Sequence, residues 1–162
     1  IDVLAEGCLK AKLIKEKEEI KKYYFHGVSH SIGLDTHDPF LRRYTTHIPK
    51  KLDIELMKEA SKYFIGEHDF KSFCQVGAQV KSTVRRVTEV NIYEEDADLM
   101  IRVTGEGFLY NMVRIMVGTL LEVGFGKREP WQIQEILAAK NREAAGPTAP
   151  AHGLTLMKYE FL

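Results

Sequence analysis

The stretch FLYNMVRIMVGTLLEV, Phe108 to Val123, constrains the fold of this chain more than any other. At 3.6 residues per turn, Gly107, Asn111, Arg114, Gly118 and Glu122 fall on one stripe, while Phe108, Leu109, Met112, Val113, Ile115, Met116, Leu120 and Leu121 cover the rest of the surface. A helix apolar on nearly every side needs a core around it, and the remaining chain must supply that core. Arg114 interrupts the run, so no apolar segment reaches the roughly 18 residues that read as a membrane span.

Arg114 has Tyr110 four residues before it and Gly118 four residues after, so no carboxylate at helical spacing can pair with it. One account makes the stripe the exposed edge of a buried helix, with the guanidinium in water. The flanking glycines favour another. Lacking side chains, they let a backbone, a carboxylate or a phosphate approach, and guanidinium suits planar acceptors.

A chain of 162 residues fits one ordinary domain, burying roughly 70% of the surface of its unfolded form. Apolar residues are 44% and charged residues 28%, a globular balance and not a disordered or fibrous one. Lys plus Arg equals Asp plus Glu at 23 each, so any nucleic-acid-binding surface has to be local. Cys8 and Cys74 are too few for a zinc site or a disulfide framework, and a reducing cytoplasm is expected. The N-terminus has no basic segment followed by an apolar core, hence no secretion signal is expected; a start without Met suggests a fragment.

Mixed charges from Lys10 to Lys22 describe a solvated helix or arm, and Lys21 to Lys51 reads as strand and loop. Asp53 is a good N-cap for a helix whose apolar set is Ile54, Met57, Ala60, Ser61 and Phe64, with Gly66 as its stop. TVRRVTEVNIY and DLMIRVTGEG alternate in period two across the turn EEDA, which predicts a β-hairpin. The apolar helix ends at GFGK, and Pro130 opens another, PWQIQEILAAK. NREAAGPTAPAHG is then an irregular loop and LTLMKYEFL a closing strand. The expected class is α+β, a mainly antiparallel sheet with helices packed on one face.

Three further groups of residues carry candidate chemistry. In FCQVGAQVKSTVRR, Lys81, Arg85 and Arg86 follow small residues without an acid among them, as in a phosphate-contacting loop; strand-flanking charge that discourages edge pairing is an equal account. Arg42, Arg43, Lys50 and Lys51 form a similarly ambiguous patch. His26, His30, His37 and His47 lack the helix and further ligands a zinc site requires, and Asp35 and Asp38 suit a turn better than a catalytic role. No metal site is expected.

IGEHDFKSFC, QVKSTVRRV, GFLYNMVRIMVGTLLEVGFGK and AAGPTAPAHGLTL occur in that order between Pro39 and Leu162. Together they resemble the successive motifs of the bacterial tRNA pseudouridine synthase A family, in its C-terminal half to two-thirds. The resemblance implies that residues 39–162 are the C-terminal α+β domain of such an enzyme, half of its catalytic domain, with 1–38 as an N-terminal segment of unsettled register. It implies an enzyme that isomerises uridine to pseudouridine in the tRNA anticodon stem-loop, as a cytoplasmic homodimer with no metal or organic cofactor. In the reaction an aspartate attacks the nucleoside, and the base detaches, turns and rejoins through carbon.

By the resemblance, Arg114 pairs with that aspartate and keeps it ionised and aimed. Leu154 packs near the target base. The segment Gly77, Ala78, Gln79, Val80 and Lys81 is a tRNA-contacting loop, with Lys81 its phosphate ligand and Arg85 extending the positive track. Tyr23 in KKYYF corresponds to the family's catalytic tyrosine, Tyr24 being the other choice. The nucleophile's motif, Gly-Arg-Thr-Asp-x-Gly-Val-His, is absent; FHGVSHSIGL echoes parts of the family pattern but places no Asp correctly. The chain alone is therefore expected to be inactive. The alternative is a non-catalytic tRNA-binding or dimerisation module.

Overall fold

Asp53 does what its position predicts: its Oδ1 accepts the Leu56 N–H at 3.1 Å and starts helix α1, Ile54–Ser61. A computed structural model describes residues 45–95 and 98–158 of the chain. The expectations for Tyr23, Tyr24, His26, His30, His37, Asp35, Asp38, Arg42 and Arg43 lie outside these residues. A 3-10 turn, Lys62–Phe64, carries α1's apolar face on to Phe64, and Gly66, at φ +117°, turns the path into a strand.

Among the described residues, three strands form one antiparallel sheet in sequence order: β1 Gly66–Asp69, β2 Val84–Glu95 and β3 Asp98–Gly105. The predicted hairpin is β2 with β3, paired from Glu95 with Asp98 back to Val87 with Gly105. Its alternation is interrupted once. Val87 pairs with Gly105 but Glu89 pairs with Thr104, so Thr88 is an extra residue, and its hydroxyl donates to the Thr104 carbonyl at 3.1 Å. This bulge shifts the pleat by one and brings Val87, Val90 and Ile92 to the same buried face.

Helices α2, Met112–Gly124, and α3, Gln132–Ala139, complete the layer. The core joins the sheet's Val87, Val90 and Ile92 to Met57 of α1, to Met112, Ile115, Met116, Leu120 and Val123 of α2, and to Ile133 of α3. Phe64, Phe70 and Phe73 pack within it, with edge contacts at 5.1 and 6.1 Å between centroids. The class is α+β, as expected. Among the described residues no helix is long and apolar enough to cross a membrane.

Two boundaries differ from the sequence reading. Helix α2 begins at Met112 and not near Gly107, because Asn111 stands in the left-handed region at φ 61°. The stripe therefore loses Gly107. The expected closing strand does not form over Leu154–Lys158, which pairs with none of the three described strands. Leu154, Leu156 and Met157 are exposed there. Alternation marks a side chain set with one apolar face, but a strand also needs a ladder partner.

Candidate functional site

Arg114 lies in the first turn of α2 and is half buried. Its Nε donates to the Ala149 carbonyl at 2.7 Å and its Nη1 to Asn111 Oδ1 at 2.8 Å, while the Ala149 N–H donates to the Arg114 carbonyl at 3.0 Å. The guanidinium is thus neither in open water nor ion-paired among the described residues. It is clamped between its own helix start and the loop after α3, with neutral oxygens on both sides. Such acceptors orient the group without cancelling its charge.

Gly118 shows why that loop reaches the helix. A Cβ at this position would lie 1.7 Å from the Pro147 carbonyl oxygen, and one at Gly146 would lie 2.8 Å from Thr119 Cα. Gly118 and Gly146 allow backbone to lie on helix; of the two glycines flanking Arg114 on the stripe, Gly118 meets this close approach, whereas a Cβ at Gly107 would meet nothing within 4 Å. Polar anchors hold the approach. Thr119 Oγ1 accepts the Gly146 N–H at 3.0 Å, and Arg142 donates to the Gly146 carbonyl at 2.9 Å and to Thr148 Oγ1 at 3.1 Å.

Asn111 extends the cluster in the opposite direction. Its Nδ2 donates to Gln75 Oε1 at 3.1 Å, and the Gln75 N–H donates to the Tyr110 carbonyl at 3.1 Å. One side-chain amide therefore links Arg114 to Gln75, at the root of the loop that holds Gly77, Ala78, Gln79, Val80 and Lys81. A left-handed backbone is tolerated by Asn better than by most residues, so the position suits this amide. The loop turns at Gly77, φ +83°, and Gln79, Val80 and Lys81 are exposed.

Arg85 curls back on the loop's end, donating through Nη1 to the carbonyls of Ser82 at 3.0 Å and Val84 at 2.6 Å. Leu154 follows the short turn Ala151–Gly153 and exposes half its surface. Beside the loop runs an open groove of about 290 Å³ between residues 74–83 and the end of α3, with Lys71, Lys140 and Arg142 on its walls. Asp69 lies close to this groove: it accepts from Thr83 Oγ1 at 2.6 Å and from the Lys71 N–H at 3.2 Å, and pairs with Lys140 Nζ at 3.0 Å. The Thr83 hydroxyl above all, then Lys140, hold its carboxyl below the ordinary value of 3.8, against the opposing effect of burial.

The family model described as tRNA pseudouridine synthase matches residues 60–161. The chain belongs to this tRNA pseudouridine synthase family. The tRNA pseudouridine synthase A of Bacillus licheniformis is 53% identical over 121 residues, 75% of this chain and 49% of that protein. That of Halalkalibacterium halodurans is 51% identical over 117 residues, 72% of this chain and 44% of its own length. The Bacillus subtilis protein of the same name is 42% identical over 153 residues, 94% of this chain and 59% of its own length. This last likeness extends into the segment ahead of Pro39, beyond the four motifs. The chain spans about half the length of the curated relatives it matches.

In this chain of the tRNA pseudouridine synthase family, the residues around Arg114 and the groove that the sequence does not single out are Gln75, Asp69, Thr119, Arg142 and Ala149. Three of them had a faint signal. Thr119 is a polar residue within an apolar helix, Arg142 precedes a Gly-Pro loop, and Asp69 sits in the motif IGEHDFKSFC. Ala149 had none, because it acts through its main chain.

Proposed function

We propose that this chain is the arginine-bearing, tRNA-facing part of a tRNA pseudouridine synthase, and that alone it binds tRNA without isomerising uridine. The observation that carries the reading is the clamp on Arg114. A half-buried guanidinium held by the Ala149 carbonyl and Asn111 Oδ1 is oriented while keeping its charge, which is what a catalytic carboxylate needs opposite it.

In the complete reaction that aspartate attacks the nucleoside, and Arg114 keeps the carboxylate ionised and directed. Leu154 packs against the flipped base, and Tyr23 supplies the catalytic tyrosine. The Gly77–Lys81 loop and Arg85 contact tRNA phosphates near the anticodon stem-loop. No metal or organic cofactor takes part, and the enzyme works as a cytoplasmic homodimer. Because the 162 residues lack the nucleophile's motif, the chain alone supplies binding and the arginine but not the attack.

The coupling through Gln75 and Asn111 supports assigning the loop and the arginine to one site, since loop and helix start share a hydrogen-bonded amide. Binding of unmodified tRNA, titrated against salt, tests the reading. Affinity should fall as salt rises and drop several-fold in Lys81→Ala, with a smaller loss in Arg85→Ala, whose guanidinium already serves loop carbonyls. Salt-independent or absent binding would leave a purely structural or dimerisation module.

A further inference from the structure

We propose that the groove between residues 74–83 and the end of α3 carries a stretch of tRNA sugar-phosphate backbone, with Lys71, Lys140 and Arg142 as its phosphate ligands. The proposal rests on the tRNA-facing reading above. It extends the contact from Lys81, on the exposed part of the loop, to the groove whose wall includes Gly77, Ala78 and Val80.

Charge is the first support. The groove's lining holds these three cations and no carboxylate, in a chain whose acidic and basic residues balance at 23 each. A random piece of such a surface would mix the signs. Arg142 spends its hydrogen bonds on neutral oxygens, those of Ala145, Gly146 and Thr148, so its charge is not cancelled. Lys71 is exposed and makes no ion pair among the described residues.

Construction is the second. Lys140 adopts φ 49°, a left-handed conformation that is strained for a lysine and free for glycine. The next residue is pinned: the Asn141 N–H donates to Ser72 Oγ at 2.9 Å, and that hydroxyl donates to the Ile136 carbonyl at 2.6 Å. A single carboxylate, Asp69, ties together the Thr83 hydroxyl, the Lys71 N–H and the Lys140 ammonium. Three groove residues from distant parts of the chain are thereby fixed by one group, which offsets only one of the three positive charges.

The occupant follows from the rest of the lining. The groove is open, and beside its three cations the lining holds the hydrogen-bonding side chains of Gln75, Thr83 and Asn141 among small and apolar residues. RNA backbone presents phosphate for the cations and sugar hydroxyl for those side chains. Three cations on one groove suit a run of phosphates better than a single small anion.

The test is the tRNA affinity of the chain across a salt series, for wild type, Lys71→Ala, Lys140→Gly and Lys81→Ala, with Lys58→Ala on α1 as the charge control. Glycine at position 140 accepts the left-handed backbone, and thermal melts show whether each variant is folded. Lys71→Ala and Lys140→Gly should each weaken binding about three- to tenfold at low salt and lower the salt slope by about 0.7–1, while Lys58→Ala matches wild type. If Lys81→Ala weakens binding but both groove variants bind with the wild-type slope, the groove carries no phosphate and the tRNA-facing reading survives. Equal losses in Lys58→Ala would reduce the groove to general charge and overturn the proposal. If the wild-type chain shows no salt-dependent affinity for tRNA, the proposal and the reading beneath it fall together.

Discussion

Arg114 is held by oxygens that carry no net charge, and the position of one of them depends on a glycine. At Gly118 any side chain would meet the Pro147 carbonyl, since even a Cβ would come within 1.7 Å of it. Gly118→Ala should therefore push the 146–149 loop off α2, destabilise the fold by about 1–3 kcal/mol and free the guanidinium. The expected readout is a lower thermal midpoint together with faster modification of Arg114 by phenylglyoxal; an unchanged midpoint would mean the loop is not seated there. Asp69 gives a second test at this scale. Its pKa is depressed in the fold, chiefly by the Thr83 hydroxyl, so its contribution to stability is fully present above the ordinary value of 3.8 and is lost as pH falls through the lower folded value. The stability difference between wild type and Asp69→Asn should be constant near neutral pH and shrink only below about pH 4. A difference that shrinks already between pH 7 and 5 would assign the effect to another group. Of these features, the need for close approach beside Arg114 is legible in Gly118, while Gly107, the other flanking glycine, has open space around it. The partner of Arg114 is not legible, because a main-chain carbonyl 35 residues away leaves no mark on residue identity.

At the scale of elements, α1, the β2–β3 hairpin and α3 follow from capping, alternation and turn residues, each a local signal. The start of α2 was less legible, since the apolar pattern runs on through Phe108 and Leu109 while Asn111 in the left-handed region ends the helical path. The sequence predicts an irregular loop after α3, and the loop is irregular, yet it is strapped to the helix. That order comes from hydrogen bonds between distant residues, which periodicity does not record. Thr119 is the strap's centre: its hydroxyl accepts from the Gly146 N–H and donates to the Ile115 carbonyl at 2.8 Å, fully buried. Thr119→Val keeps the volume but leaves the Gly146 N–H without an acceptor, and should cost about 1–3 kcal/mol. Denaturant unfolding measures this; a loss under a few tenths of a kcal/mol would show the strap to be dispensable. The closing segment is the opposite case. Its alternation predicted a strand, and the ladder it lacks over Leu154–Lys158 is a property of neighbours and not of its own sequence.

The described residues form a three-stranded antiparallel sheet covered by helices, and the chain belongs to a family whose named relatives it matches over about half of their length. Fold class and family were both readable from the chain, the first from element order and the second from four motifs. The composite character of the site was not readable. Helix α2, the loop after α3 and the loop before β2 meet at Arg114, Asn111 and Gln75 only once the sheet and helices have folded. We propose that this assembly binds tRNA and presents an arginine but lacks the group that attacks the nucleoside. The decisive measurement is pseudouridine content. After prolonged incubation of the chain with unmodified tRNA, nuclease digestion and mass spectrometry should find no pseudouridine above that of tRNA incubated alone. Pseudouridine accumulating in proportion to the amount of chain added would contradict the claim and place a nucleophile within these residues.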